Sequence, residues 1–308
     1  MLIEGEEECG SKNLFAFVRT HASELRRDVA LVCDTGMWNA ETPAVTTSLR
    51  GLLYEEIKII CADRDLHSGL FGGAAQNPIR VLARIVAALH DDDGRVTLPG
   101  FYKGVHELPA DIRADLEGLK LTPEEFLGPV GLKIPAGEKD RMLIEQISTR
   151  PTCDVNGIVG GYTGEGSKTV IAGEASAKVS FRLVGDQDPE AISAAFRAFV
   201  REGVPADCSV EFISHASSPA IQLPYNNSVL TKARAALAEE WSTKAVTVGS
   251  GGSIPIVGDF KRVLGMDSLL VGFGLDDDRV HSPNEKYELT SFHKGIRSWA
   301  RIIGALAD

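Results

Sequence analysis

The sequence predicts an α/β protein: one α/β domain in two pieces, interrupted by an α+β lobe. Three observations carry this. A short apolar run, Val29 to Cys33, ends in Asp34 after a segment with apolar residues at helical spacing, the strand and helix order of a βαβ fragment in a mostly parallel sheet. From Leu49 the pattern changes to long alternating strands, which suit an antiparallel sheet with one face covered and one open. From Leu223 the α/β character returns, with an apolar strand Leu269 to Gly274 and a final helix. The halves are therefore placed at 1–48 and 219–308, with the lobe at 49–218.

Each element has a local reason. Ser11 is read as the cap of a helix carrying Leu14, Val18 and Leu25. In the lobe, Glu56 and Lys58 alternate with Ile57, Ile59 and Cys61, and Pro78 opens a helix carrying Ile79, Leu82, Ile85 and Leu89. Residues 91–145 read as an irregular insertion with one short helix capped at Thr122. Between Glu174 and Val184, Ala175, Ala177, Val179, Phe181 and Leu183 face one way, and Ser176, Lys178, Ser180 and Arg182 the other. A helix from Pro189 to Val200, a strand from Ser209 to Ser214 and a helix from Val229 to Glu240 follow. The last helix places Phe292, Ile296, Trp299, Ile303 and Leu306 on one stripe.

Composition narrows the function classes. The 308 residues are 44% hydrophobic and 24% charged, ordinary for a globular protein, and the net charge is −11. Without a basic stripe to offset phosphate repulsion, nucleic acid and anionic membranes are poor partners, and a small molecule is the better one. No apolar run approaches the roughly 20 residues that span a bilayer. The five cysteines stand singly, without a CxxC pair, and read as reduced thiols of a cytoplasmic protein.

The chemistry-bearing residues are few. EGEEECGS puts four carboxylates within five residues, ordinarily a solvated helix entrance. Here the run follows an apolar segment and precedes a glycine and a serine, so the backbone turns at a sheet end. Adjacent glutamates there can divide roles, one holding a cation and the other acting as general base. Asp34 by itself is a strand-terminating aspartate, His281 a loop histidine, His67 a turn residue and Arg182 a solvent-facing strand arginine. Together, Glu, Asp and His near strand ends form an oxygen and nitrogen set suited to zinc or manganese.

EGEEECGS, VCDTGMW, LRGLLYEEI, DLHSGLFGG, GSKTVI, SFRLV, GGSIP and VHSPNEK occur in this order along essentially the whole chain. In that order and separation the sequence resembles the carnosinase-like metallo-dipeptidases, two-metal amidohydrolases related to the desuccinylases and glutamate carboxypeptidases. The resemblance implies Glu7 as general base and Glu8, Asp34 and His281 as metal ligands, with zinc, or alternatively manganese, as the cofactor. It implies that His67 reaches into a partner subunit's site and polarises the scissile carbonyl, and that Arg182 takes the substrate's terminal carboxylate. Thr169, His215, Gly252 and Ser253 match further substrate-contacting positions. Some members carry an acidic residue where this chain has Ser250, which leaves recognition of a free amino terminus open.

The lobe then corresponds to a lid and dimerisation domain, the chain to a homodimer, and the reaction to hydrolysis of dipeptides or N-acyl amino acids by a metal-activated water. A His-x-Asp motif and a bridging aspartate would lie upstream of EGEEE, so the catalytic domain reads as N-terminally truncated. The chain alone is expected to bind metal weakly and to hydrolyse little. The alternative reading is a non-catalytic remnant or dimerisation scaffold of the same family.

Overall fold

A computed structural model describes residues 1–7, 11–251 and 254–307, with Pro255 described by its backbone only. In chain order the strands are β1 (Val29–Val32), β2 (Ala44–Leu49), β3 (Gly51–Ile60), β4 (Leu66–His67), β5 (Thr152–Gly160) and β6 (Val170–Ile171). They continue as β7 (Glu174–Leu183), β8 (Ser209–Ser218), β9 (Ile221–Gln222), β10 (Val246–Ser250) and β11 (Asp267–Leu270). Two compact units form: Met1–Leu49 with Glu107–Lys120 and Ile221–Asp308, and Arg50–His106 with Leu121–Ala220.

The first unit is built on a sheet of order β1-β11-β2-β10, with β9 beside β2. Its longer ladders, β1 with β11 and β10 with β2, are parallel. β11 meets β2 antiparallel at Leu270 and Thr46, and β2 meets β9 the same way. Successive residues serve opposite faces, as the pleat requires. Val45, Leu269 and Val271 pack with Leu230, Leu237 and Trp241 from the helix Ser228–Trp241. Leu49 and Leu270 pack instead with Leu14, Val18, Val257 and Leu264. A sheet covered on both faces needs a fully apolar or small central strand, and all of β2 is buried.

Two expectations for this unit are corrected. Ser11 is not a helix cap: its φ is 50°, and the helix Leu14–Thr20 starts from Asn13. The side-chain amide of Asn13 donates to both Glu6 carboxylate oxygens at 2.8 and 3.0 Å, which ties the acidic segment to the helix start. The last helix, Leu289–Ala307, buries its apolar stripe only in part, with Trp299 and Leu306 packed on the core. Phe292, Ile296 and Ile303 are exposed, and Ser291, Gly295, Ser298 and Ile302 are buried. Close approach decides this: a Cβ at Gly295 would lie 2.7 Å from the Phe273 ring, and Trp241 Nε1 donates to Ser298 Oγ at 3.0 Å.

The second unit carries an antiparallel sheet of order β5-β7-β3-β8 and a small two-stranded β4-β6 ladder. Leu53, Ile57 and Ile59 of β3 join Ala175, Ala177, Val179, Phe181 and Leu183 of β7 in one core. The helices Pro78–Ala87 and Pro189–Gly203 cover it with Leu82, Ile85, Ile192, Phe196 and Val200. The alternation read in the sequence thus gives one packed face and one open face. Inside the packed layer Glu55 is fully buried and satisfied by Ser193 Oγ, Ser214 Oγ and the Arg197 guanidinium at 2.7–3.2 Å.

The insertion meets expectation at one point and departs from it at two. Thr122 does cap the helix Pro123–Leu127 with a full capping box. Two further helices form, Ala110–Gly118 and Leu143–Ser148, where irregular chain was expected. Ala110–Gly118 groups with the first unit rather than with the rest of 49–218. Its Ile112 and Leu116 are buried, one turn apart, and Asp115 pairs with Arg234 at 3.1 Å and Lys244 at 2.7 Å.

The reading of all cysteines as reduced is also corrected. The β3-β8 ladder ends at Ile60 opposite Ser209, and the next residues out, Cys61 and Cys208, form a disulfide with a Cα separation of 4.3 Å. The thiol argument for a cytoplasmic chain does not apply to this pair. Cys33 and Cys153 are free thiols, and burial beside Asp154 pushes Cys153 up to about 12.

Candidate functional site

In the first unit the site begins with two strands that stay together past their ends. Beyond β1 and β11, Val271 N–H donates to the Val32 carbonyl at 3.0 Å, Gly36 bridges Gly274 in parallel, and Met37 N–H donates to Gly274 O at 2.9 Å. Only glycine permits this, because a Cβ at Gly272 would lie 1.7 Å from the Thr35 carbonyl oxygen. Asp34 is therefore held, exposed, just past the carboxyl end of β1. Burial and the Asp34 charge raise the neighbouring Cys33 thiol.

His281 lies in the loop that follows β11, exposed and at φ 61°. Buried Asp278 organises that loop: its carboxylate accepts from Leu275 N–H at 2.7 Å and pairs with Lys286 Nζ at 3.0 Å. Lys286 also reaches Glu288 and Asp277, and these carboxylates together hold its ammonium well above the usual lysine range. Glu7 is exposed beside the Glu6–Asn13 anchor. Glu8, Gly252 and Ser253 lie outside the described residues. Among the described residues, no three His, Cys, Asp or Glu side chains gather as a metal site. A cavity of about 560 Å³ in this unit is lined by Trp38, Glu41, Asp276, Asp277 and Glu288, none of them a residue singled out by the sequence.

In the second unit the β4-β6 ladder brings His67 and Thr169 side by side. His67 pairs with Val170 across the β4-β6 ladder, and Ser68 N–H donates to the Thr169 carbonyl at 3.1 Å. Asp65 pins the ladder by accepting from Gly173 N–H at 3.0 Å. His67 Nδ1 accepts from Gly69 N–H at 3.0 Å. The neutral ring must then carry its proton on Nε2, so this exposed histidine presents a donor.

Arg182 and His215 stand on the open face of the four-stranded sheet, on either side of β3. Arg182 is half-buried opposite Leu52 of β3 and Thr152 of β5. His215 sits at the irregularity where β8 slips against Tyr54 and Glu55. Its Nε2 meets Glu56 Oε2 at 2.9 Å, and its ring lies 5.4 Å from the Tyr54 ring.

Arg50 and Asp154 were missed in the sequence. Burial and the Arg182 charge push the Arg50 guanidinium down to about 10, against an upward pull from Asp154. The signal was present, since the alternation that put Glu56 on the open face runs back through Tyr54 and Leu52 to Arg50.

The profile of the peptidase dimerisation domain of the M20 family matches residues 47–208. The chain belongs to the M20 peptidase family. The Cys-Gly metallodipeptidase of Schizosaccharomyces pombe is 30% identical over 316 residues, covering 100% of this chain and 66% of that protein. The human Beta-Ala-His dipeptidase is 26% identical over 313 residues, covering 100% of this chain and 62% of that protein. Among solved structures, an M20 family metallo-carboxypeptidase from Sulfolobus solfataricus superposes with a TM-score of 0.82 at 30% identity, over 97% of this chain and 68% of that one. This M20 chain thus spans less than two thirds of the length of the two dipeptidases. No helix among its described residues is long and apolar enough to cross a membrane.

Proposed function

We propose that this M20 chain carries part of a metal-dependent peptidase site that hydrolyses the amide bond of dipeptides or related N-acyl amino acids. The observation that carries the reading is the likeness to two dipeptidases over the full length of the chain. Zinc or manganese, when bound, supplies Lewis-acid polarisation and a more acidic water. Glu8, Asp34 and His281 are the residues that would hold it, an oxygen and nitrogen set that suits either metal.

The remaining steps belong to protein groups. Glu7 takes the proton of the attacking water and returns it to the leaving amine. His67 donates from Nε2 to the oxygen on which charge develops, a role supported by the backbone bond that fixes its tautomer. Arg182 takes the terminal carboxylate, with Thr169, His215, Gly252 and Ser253 completing the substrate contacts. The rate proposed for this chain alone is low.

The purified chain, assayed with Cys-Gly and β-Ala-His, is expected to release free amino acids slowly, at a rate that follows added zinc or manganese and disappears in Glu7→Gln. Turnover that persists in Glu7→Gln would remove Glu7 from the role of base. No turnover with either metal would favour the second reading, a dimerisation scaffold. That reading is supported by the dimerisation profile and by Val155, Ile158 and Val159, which leave the edge strand β5 apolar and exposed. We propose a homodimer through this unit in either case; light scattering that gives only monomer mass would exclude it.

A further inference from the structure

We propose that Arg50 and Arg182 form a two-arginine clamp for a single carboxylate on the open face of the second unit's sheet, with Arg50 as a specificity-determining residue.

The placement comes from the register. Gly51 opposes Leu183 and Leu52 opposes Arg182, so Arg50, one residue before Gly51, lies diagonal to Arg182 across the β3-β7 pair. Strand alternation puts position 50 on the same face as Leu52, Tyr54 and Glu56. On the far side of β7, Thr152 opposes Arg182 and Asp154 opposes Ser180, with Thr152 Oγ1 donating to Asp154 Oδ2 at 3.3 Å.

Two neighbouring guanidiniums oppose each other, and the Arg50 value is lowered by burial first and by the Arg182 charge second. The Arg182 side chain, half-buried on this face, makes no hydrogen bond or ion pair with another described residue. A forked, permanently charged donor left in that state suits an anion that binds through two oxygens. The two arginines bring positive charge to this stretch of the face, with Asp154 as a counter-charge, which suits a carboxylate. Thr152 stands opposite Arg182, and Ser180 two residues before it on the same face.

This inference rests on the reading that Arg182 takes a substrate carboxylate, and adds that the carboxylate is shared. The test is side-chain NMR of the arginine Nε–Cζ groups in the full chain, titrated with N-acetylglycine and, separately, with its neutral amide. Resonances are assigned with Arg50→Lys and Arg182→Lys. Both arginines are expected to shift with one common dissociation constant for the acid, and neither for the amide. Arg50→Gln is expected to weaken the acid by about tenfold or more. If Arg182 alone shifts, the clamp is wrong and the terminal-carboxylate reading stands. If neither shifts, both fail, and equal shifts with the amide would exclude charge pairing as the basis of binding. The wild-type titration requires no variant to fold.

Discussion

Glu55 shows what single residues contribute here. It lies in the covered layer of the second unit with no exposed surface, and three neighbours donate to its carboxylate. Such a group is stable only while its partners remain, because a lone buried charge keeps its desolvation cost and loses the compensating field. Arg197→Met is expected to cost about 3 kcal/mol in urea unfolding; a loss below 1 kcal/mol would show that the serines suffice. The sequence did not single out Glu55, although it falls on the apolar phase of β3 between Leu53 and Ile57. His67 and Arg182 were visible as residue types in a motif. The tautomer of His67 was not, because it is set by a backbone N–H two residues away in a turn whose geometry no composition reveals.

At the level of elements, legibility followed periodicity. β3 and β7 were readable because one face is packed and the other open, which writes a period of two into the chain. The last helix was read only in part because, beside Trp299, Ile302 and Leu306, its packing side is made of small residues set for close approach to Phe273 and Trp241, while Phe292, Ile296 and Ile303 stay outside. The helix Ala110–Gly118 was missed because two buried apolar residues among acidic ones give a weak pattern. Its attachment is partly electrostatic. Lys244 first, then Arg234, lower the Asp115 carboxyl below its ordinary value. A depressed carboxylate stabilises the fold above its unfolded pKa and loses that contribution as pH falls through the folded value. Asp115→Asn is therefore expected to cost at most about 1 kcal/mol at pH 7, since the pair is partly exposed and screened, and nothing at pH 2. An equal cost at both pH values would assign the effect to packing instead.

For the whole molecule, the split architecture was legible in the changes of pattern near Leu49 and Leu223, and the exchange of 107–120 into the first unit was not. A contact between segments distant in sequence leaves no local mark. The same holds for Cys61 and Cys208, which read as single thiols because 147 residues separate them, although each adjoins a strand end. Their bond joins two strand ends of the second unit and closes a long loop, of which only 107–120 belongs to the first, and closing such a loop restricts the unfolded chain by up to about 5 kcal/mol in the chain-entropy account. The first unit contains no described disulfide and relies on its two cores. The two units should therefore respond differently to reductant. Calorimetry of the full chain is expected to resolve two transitions, of which a thiol reductant lowers only one, by roughly 10 °C or more for a unit of this size. Cys61→Ser should reproduce that shift without reductant and remove the sensitivity. If both transitions move together, the units unfold as one; if neither moves, the bond contributes nothing to the stability of the second unit.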